Sequence, residues 1–364
     1  MRDDARVGVV LHDGPSAKAG RPRRRKIPVP PSARWADAAS NRPVWAPYDR
    51  RAVRVPRLSP TAYRRITFVA AVLLAVIIVT GGAVRLTGSG LGCPDWPNCS
   101  PGRLTPHSAT DEHAMVEFVN RAFTGLVSIA VVVAVLGSLL RVPRRRDLVW
   151  LSLGLVVGVF AQAVLGGLTV LFELRPELVM AHFLLSIALL TNAIVLHRRA
   201  SEPAGAAGLV VATRVRDLGR LLLVTGAVVL VTGTIVTSTG PHGGDEDAKR
   251  FDLYLPGVAR VHGIAVMTFL ALVLLTFWML RRTRAPNGVQ QRLGVLLLVV
   301  VGQAAIGYIQ YFNGIPELLV GFHIAGATAV WAAVVSFYLA LFAREAVAPV
   351  RQPDEPRRPA LASA

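Results

Sequence analysis

The feature that most limits how this chain can fold is a series of eight apolar runs, each about 20 residues long. They fall at about 66–86, 115–140, 147–171, 177–197, 217–238, 258–281, 291–311 and 317–343. A run of that length matches the hydrocarbon core of a bilayer. Within lipid only a helix satisfies the backbone of an isolated run. Charged residues make up 17% of the chain and hydrophobic ones 53%, with a mean hydropathy of +0.49, whereas about a quarter of a soluble domain is charged. The expectation is an all-α polytopic membrane protein.

Charge sets the expected orientation. The segments Arg141 to Arg146, Arg198 to Arg220 and Arg281 to Arg292 are dominated by arginine, as is the N-terminal tail and, more weakly, the C-terminal one. The alternating segments hold Asp95, Asp111, Glu112, Glu173, Asp245, Glu246 and Asp247 with few bases. The positive-inside rule then places both termini in the cytoplasm, in a cell membrane crossed eight times. A net charge of +18 can signal nucleic acid, but here the excess lies on one side of the membrane. RPRRRK (21–26) is therefore read as lying near anionic lipid headgroups, and no nucleic-acid partner is expected. Residues 1–65 lack apolar periodicity and read as a disordered basic cytoplasmic tail, too long for the n-region of a secretory signal. Residues 345–364 read as a second disordered tail.

The chain also repeats. VLGGLTVLFELRPELVMAH (164–182) is echoed by AIGYIQYFNGIPELLVGFH (305–323), and VTGGAVRLTGSG (79–90) by VTGTIVTSTGPHGG (231–244). Gln162 and Gly166 correspond to Gln303 and Gly307, His182 to His323, and Asn120 to His262. The architecture expected is two tandem, pseudo-symmetric four-helix bundles, over 66–200 and 201–344.

Polar residues inside the spans carry the functional reading. In HAMVEFVNR (113–121), His113, Glu117, Asn120 and Arg121 are spaced to share one helical face. Ionisable groups entering hydrocarbon are costly and mark functional sites. His182, His262 and His323 each fall in the first two turns of an outside-starting helix, about 5–10 Å below the outer boundary. A single such histidine is often an interhelical hydrogen bond, but three at one depth in a repeated frame point to a cofactor. His262 and His323, opposed across a bundle, suit the two axial positions of a haem iron; zinc calls for four ligands with Cys or carboxylate, which this half lacks. Gln162 and Gln303 read first as helix-to-helix hydrogen bonds, and Glu177 and Glu317 as helix-start carboxylates. Arg85, Arg121 and Arg260 lie on the outer side within reach of haem propionates, although Arg121 can instead neutralise Glu117. His12, His107, His197 and His242 receive no chemistry. Cys93 and Cys99 flank PDWPN on the oxidising side, so a disulfide is expected, either a loop staple or a redox-active or partner-docking pair.

Taken together, these features over residues 66–343 resemble the haem A synthase family. The resemblance rests on the eight spans in two repeats, the first-loop Cys pair, Glu117, and His182, His262 and His323. It implies oxidation of a ring methyl of haem O to the formyl group of haem A, for terminal cytochrome oxidases. It implies a b-type haem cofactor between His262 and His323, with haem O as substrate at His182 and Glu117 as the catalytic carboxylate. The family's route is thought to pass through a hydroxymethyl stage, with the formyl oxygen from water. A haem O synthase and cytochrome oxidase assembly are the implied neighbours, and the electron acceptor stays unidentified. The chain departs from the family's Glu-x-x-His-Arg motif by placing Asn120 before Arg121. An amide is a poor iron ligand, so the substrate iron is left with His182 alone or with His113 as a replacement. The alternatives are a di-haem, quinol oxidoreductase-like electron-transfer protein, for which a carboxylate at Glu117 has no use, and a transporter, whose polar residues belong nearer the midplane.

Overall fold

A computed structural model describes residues 57–345. The basic stretch RPRRRK and the C-terminal tail from 346 onward lie outside the described residues. Eight helices follow in order: α1 (Pro60–Leu86), α2 (Glu112–Leu140), α3 (Arg146–Leu171), α4 (Pro176–Ser201), α5 (Thr213–Thr239), α6 (Leu255–Arg282), α7 (Asn287–Phe312) and α8 (Glu317–Ala340). All eight are long and apolar enough to cross a membrane. The protein is a multi-pass membrane protein. Side chains such as Trp150 at 73%, Phe160 at 71% and Leu298 at 73% exposure point outward, as lipid-facing positions do.

Local chemistry starts the helices. Ser59 accepts from the Ala62 N–H at 3.2 Å with Pro60 in the first turn, and Asp111 accepts from the Ala114 N–H at 3.0 Å. Each of these caps satisfies a donor that the helix itself leaves free. α1 therefore begins at Pro60, inside the stretch expected to be tail, because the Ser-Pro start carries the helix back through Arg64 and Arg65. Pro176 opens α4 and Pro316 immediately precedes α8, with Glu177 and Glu317 in their first turns.

Packing joins α1 to α2 and α4, α3 to α4, α5 to α6, and α7 to α8; α8 then lies against α1 and α4. Without water to drive helices together in lipid, close approach through small residues matters. A Cβ on Gly82 of α1 would stand 2.9 Å from Ile324 of α8, and one on Gly219 of α5 would stand 2.7 Å from Leu341. A cluster of Ile78, Ile187 and Leu190 with Phe183, Leu230, Ile324 and Trp331 fills the junction. There the Trp331 indole N–H donates to Thr191 Oγ1 at 2.7 Å.

The connections gather at two faces. On one, Arg85 donates to the carbonyls of His242 at 2.7 Å and Thr237 at 2.9 Å, Gly90 N–H donates to Gly244 O at 2.7 Å, and His242 Nε2 bonds Ile315 O at 2.8 Å. On the other, Arg145 donates to the carbonyls of Arg199 at 3.0 Å and Glu202 at 2.7 Å, while β1 (Ala207–Leu209) pairs antiparallel with β2 (Phe342–Arg344). This short two-stranded pairing was not anticipated from sequence.

Candidate active site

A cavity of about 1180 Å³ is lined by residues of all eight helices and of the loops after α1 and α5. Glu117, Asn120, Arg121 and His182 line it on one side, and His262 and His323 on the other. Most of its wall is apolar.

The three histidines are seated in the same manner. Gly166, Gly233 and Gly307 lie beneath the rings of His182, His262 and His323, where an added Cβ would come within 3.1, 3.1 and 3.0 Å of the ring Cε1. Any side chain at these positions presses on an imidazole. Gln303 Nε2 donates to His323 O at 2.8 Å, and Gln162 Nε2 to His182 O at 3.1 Å. Both glutamines thus join neighbouring helices and border the cavity.

His262 Nδ1 is hydrogen-bonded to Thr232 Oγ1 at 3.1 Å, and that hydroxyl donates its proton to Val228 O at 2.8 Å. With Nδ1 engaged by Thr232, Nε2 is the ring nitrogen left for a metal. The Gln303 amide nitrogen, a donor, lies 3.0 Å from His323 Nδ1. The centroids of the two rings stand 6.5 Å apart. On α4, His182 Nδ1 is buried and has no hydrogen-bond partner, a state that costs about 1–3 kcal/mol if nothing fills it.

Asn120 occupies the helical position matching His262 and takes the matching bond: Thr80 Oγ1 donates to Asn120 Oδ1 at 2.8 Å. Nothing lies within 4 Å of a Cβ built on Gly81, the counterpart of Gly233. The shorter amide leaves open the space that an imidazole takes in the last four helices.

Glu117 is 5% exposed and held on both oxygens. Oε2 accepts from the Cys93 N–H at 2.7 Å, and Oε1 accepts from Arg121 Nε at 3.0 Å and Nη2 at 2.5 Å. Arg121 also donates to the carbonyls of Cys93 at 2.7 Å and Asn98 at 2.9 Å. Cys93 and Cys99 lie at disulfide-bonding distance, with Cα atoms 4.1 Å apart. His113 is exposed, bonded through Nδ1 to Ser89 Oγ at 3.1 Å, and is not part of the cavity wall. Arg85 and Arg260 border the cavity. Among the described residues, no three His, Cys, Asp or Glu side chains gather into a metal-holding group.

Sequence reasoning passed over Thr80 and Thr232, which orient the residues at 120 and 262, and Trp96, which enters the cavity wall from the first loop. The repeated Val-Thr-Gly at 79–81 and 231–233 was a signal available for the threonines.

Residues 64–241 match the family described as cytochrome oxidase assembly protein, COX15-CtaA. A protein of Lysinibacillus sphaericus named heme A synthase is 35% identical over 130 residues, covering 35% of this chain and 41% of its own length. Heme A synthases of Exiguobacterium sibiricum (30% over 125 residues; 34% and 41%) and Listeria welshimeri (29% over 136 residues; 37% and 44%) are also similar. The chain thus spans about two fifths of the length of the curated relatives it matches. Over residues 64–241 the chain is thus similar to the COX15-CtaA family, and the relatives it matches there are named heme A synthase.

Proposed function

We propose that the protein is a haem A synthase, an integral membrane oxidoreductase that converts a ring methyl of haem O to the formyl group of haem A. The observation that carries this reading is one cavity with a paired-histidine site, a third histidine with an unpartnered buried nitrogen, and a buried, fixed carboxylate. Two metal–imidazole bonds of about 2 Å each, plus the two ring radii, come to roughly 6 Å; the 6.5 Å between His262 and His323 fits an iron held between them. A b-type haem bound there supplies one-electron transfer to and from the substrate site. His182 is the residue that would hold the iron of haem O, and the Asn120 amide would not.

Conversion of a methyl to a formyl group with oxygen from water releases four protons and four electrons, which an electron acceptor outside the chain must take. Glu117 is the proton-handling group. An ionised carboxylate has about four acceptor sites, and Cys93 and Arg121 fill three of them, leaving one on Oε2. Arg121 keeps the carboxylate aimed, and the largely apolar wall lets its field act at low dielectric.

The matching Thr–Asn120 and Thr–His262 contacts, and the matching Gln–His carbonyl contacts, support two tandem four-helix repeats over 66–200 and 201–344, with the substrate in the first and the cofactor in the second. Arginine at one face and acidic loops at the other support cytoplasmic termini and a site toward the external side. On that side the Cys93–Cys99 pair is a disulfide. Haem O synthase and the cytochrome oxidase assembly machinery are the partners that supply the substrate and use the product. The test is expression in a host that makes haem O but no haem A, followed by haem extraction. Haem A is the expected product; its absence beside an intact b haem spectrum contradicts the assignment.

A further inference from the structure

We infer that Trp96 is a positioning residue, the side chain that closes the first-repeat cavity over the haem O ring; this rests on the function proposed above. The loop from Cys93 to Cys99 is pinned to α2 at both ends. Glu117 takes the Cys93 N–H, and Arg121 takes the carbonyls of Cys93 and Asn98. The two cysteines join the same ends. What the pinned loop delivers into the cavity wall is Trp96, which is 37% exposed.

The indole docks on Gly167 of α3. A Cβ at that position would lie 2.6 Å from both Cδ2 and Cε2 and 2.9 Å from Cε3, so only glycine admits the ring. The adjacent residue, Gly166, bears the His182 imidazole. The indole and the proposed substrate ligand therefore rest on neighbouring residues of one helix, and a flat ring held at His182 is bordered by the indole, a large planar partner.

The other set of helices lacks this device. Gln162, Gly166 and Gly167 correspond to Gln303, Gly307 and Tyr308, and Tyr308 is 54% exposed where Gly167 is buried. A resident cofactor needs no cover that opens, whereas a substrate must enter and a product must leave. The glycine that accepts the indole is present only where the ligand turns over.

The experiment loads the purified full chain with haem O and follows haem release into an excess of apomyoglobin. Trp96→Ala and Gly167→Ala should each speed release by about tenfold, and Trp96→Phe by less than about threefold. The double variant should be no faster than either single one, because both remove one contact. The b haem spectrum should stay unchanged and thereby report an intact fold. Unchanged release from Trp96→Ala, with haem O taken up normally, overturns this inference and leaves the proposed function standing. Should Gly167→Ala lose the b haem, the contrast between Trp96→Ala and Trp96→Phe decides. Failure of the unaltered protein to take up haem O overturns the function and this inference together.

Discussion

Asn120 stands where the echoing later sequence has His262, and the consequences are local. Thr80 holds the amide as Thr232 holds His262, but no ring fills the space above Gly81. Ferrous substrate haem should therefore bind carbon monoxide at its open position. Asn120→His should fill that position, give a six-coordinate low-spin spectrum and cut carbon monoxide binding by at least about tenfold. Equal binding in the two proteins contradicts the proposed coordination. At the cofactor site, His262→Ala or His323→Ala should abolish the low-spin b signal, and retention of a normal spectrum by either variant rules out the pair. Much of this was legible beforehand, because a Glu or His in an apolar run is rare and costly. Thr80, Thr232 and Gly167 were not: threonine and glycine cost little in such a helix. Their meaning lies in partners distant along the chain, 40 residues away for Thr80 and Asn120.

Among the elements, position along each helix decides what it offers. His182, His262, His323 and Glu117 all lie within the first eight residues of their helices, which brings them to one level. The glycines on the facing helices decide whether the rings fit. Gly307→Val should displace the His323 ring and lower b haem content by at least about tenfold while the protein still inserts in the membrane; the extracted haem per protein measures it. Full haem content in that variant contradicts the seating proposed for His323. Asp111→Ala should cost about 1 kcal/mol at the α2 start, read as a lower thermal midpoint in detergent. Helix number and order were legible because apolar length is a local property. The start of α1 at Pro60 and the β1–β2 pairing were not. The first depends on a Ser-Pro cap within a polar stretch, and the second joins three-residue segments more than 130 positions apart, Ala207 with Arg344.

At the scale of the whole molecule, the proposed function places two kinds of haem chemistry along one cavity. On that proposal the histidine pair would retain a cofactor, while the site beside Glu117 would keep an open coordination position and a loop-borne wall. The repeated sequence was readable, but the single cavity was not, since residues from all eight helices line it. The central claim is that Glu117 serves the oxidation rather than the retention of haem. The most direct measurement supplies the purified protein with haem O and a chemical one-electron acceptor in ¹⁸O-labelled water, then weighs the extracted haems. Haem A bearing the label should form with the unaltered protein, and Glu117→Ala should hold its b haem yet convert at least about a hundredfold less. Conversion by Glu117→Ala at the full rate, or none by the unaltered protein with its b haem intact, would contradict the account.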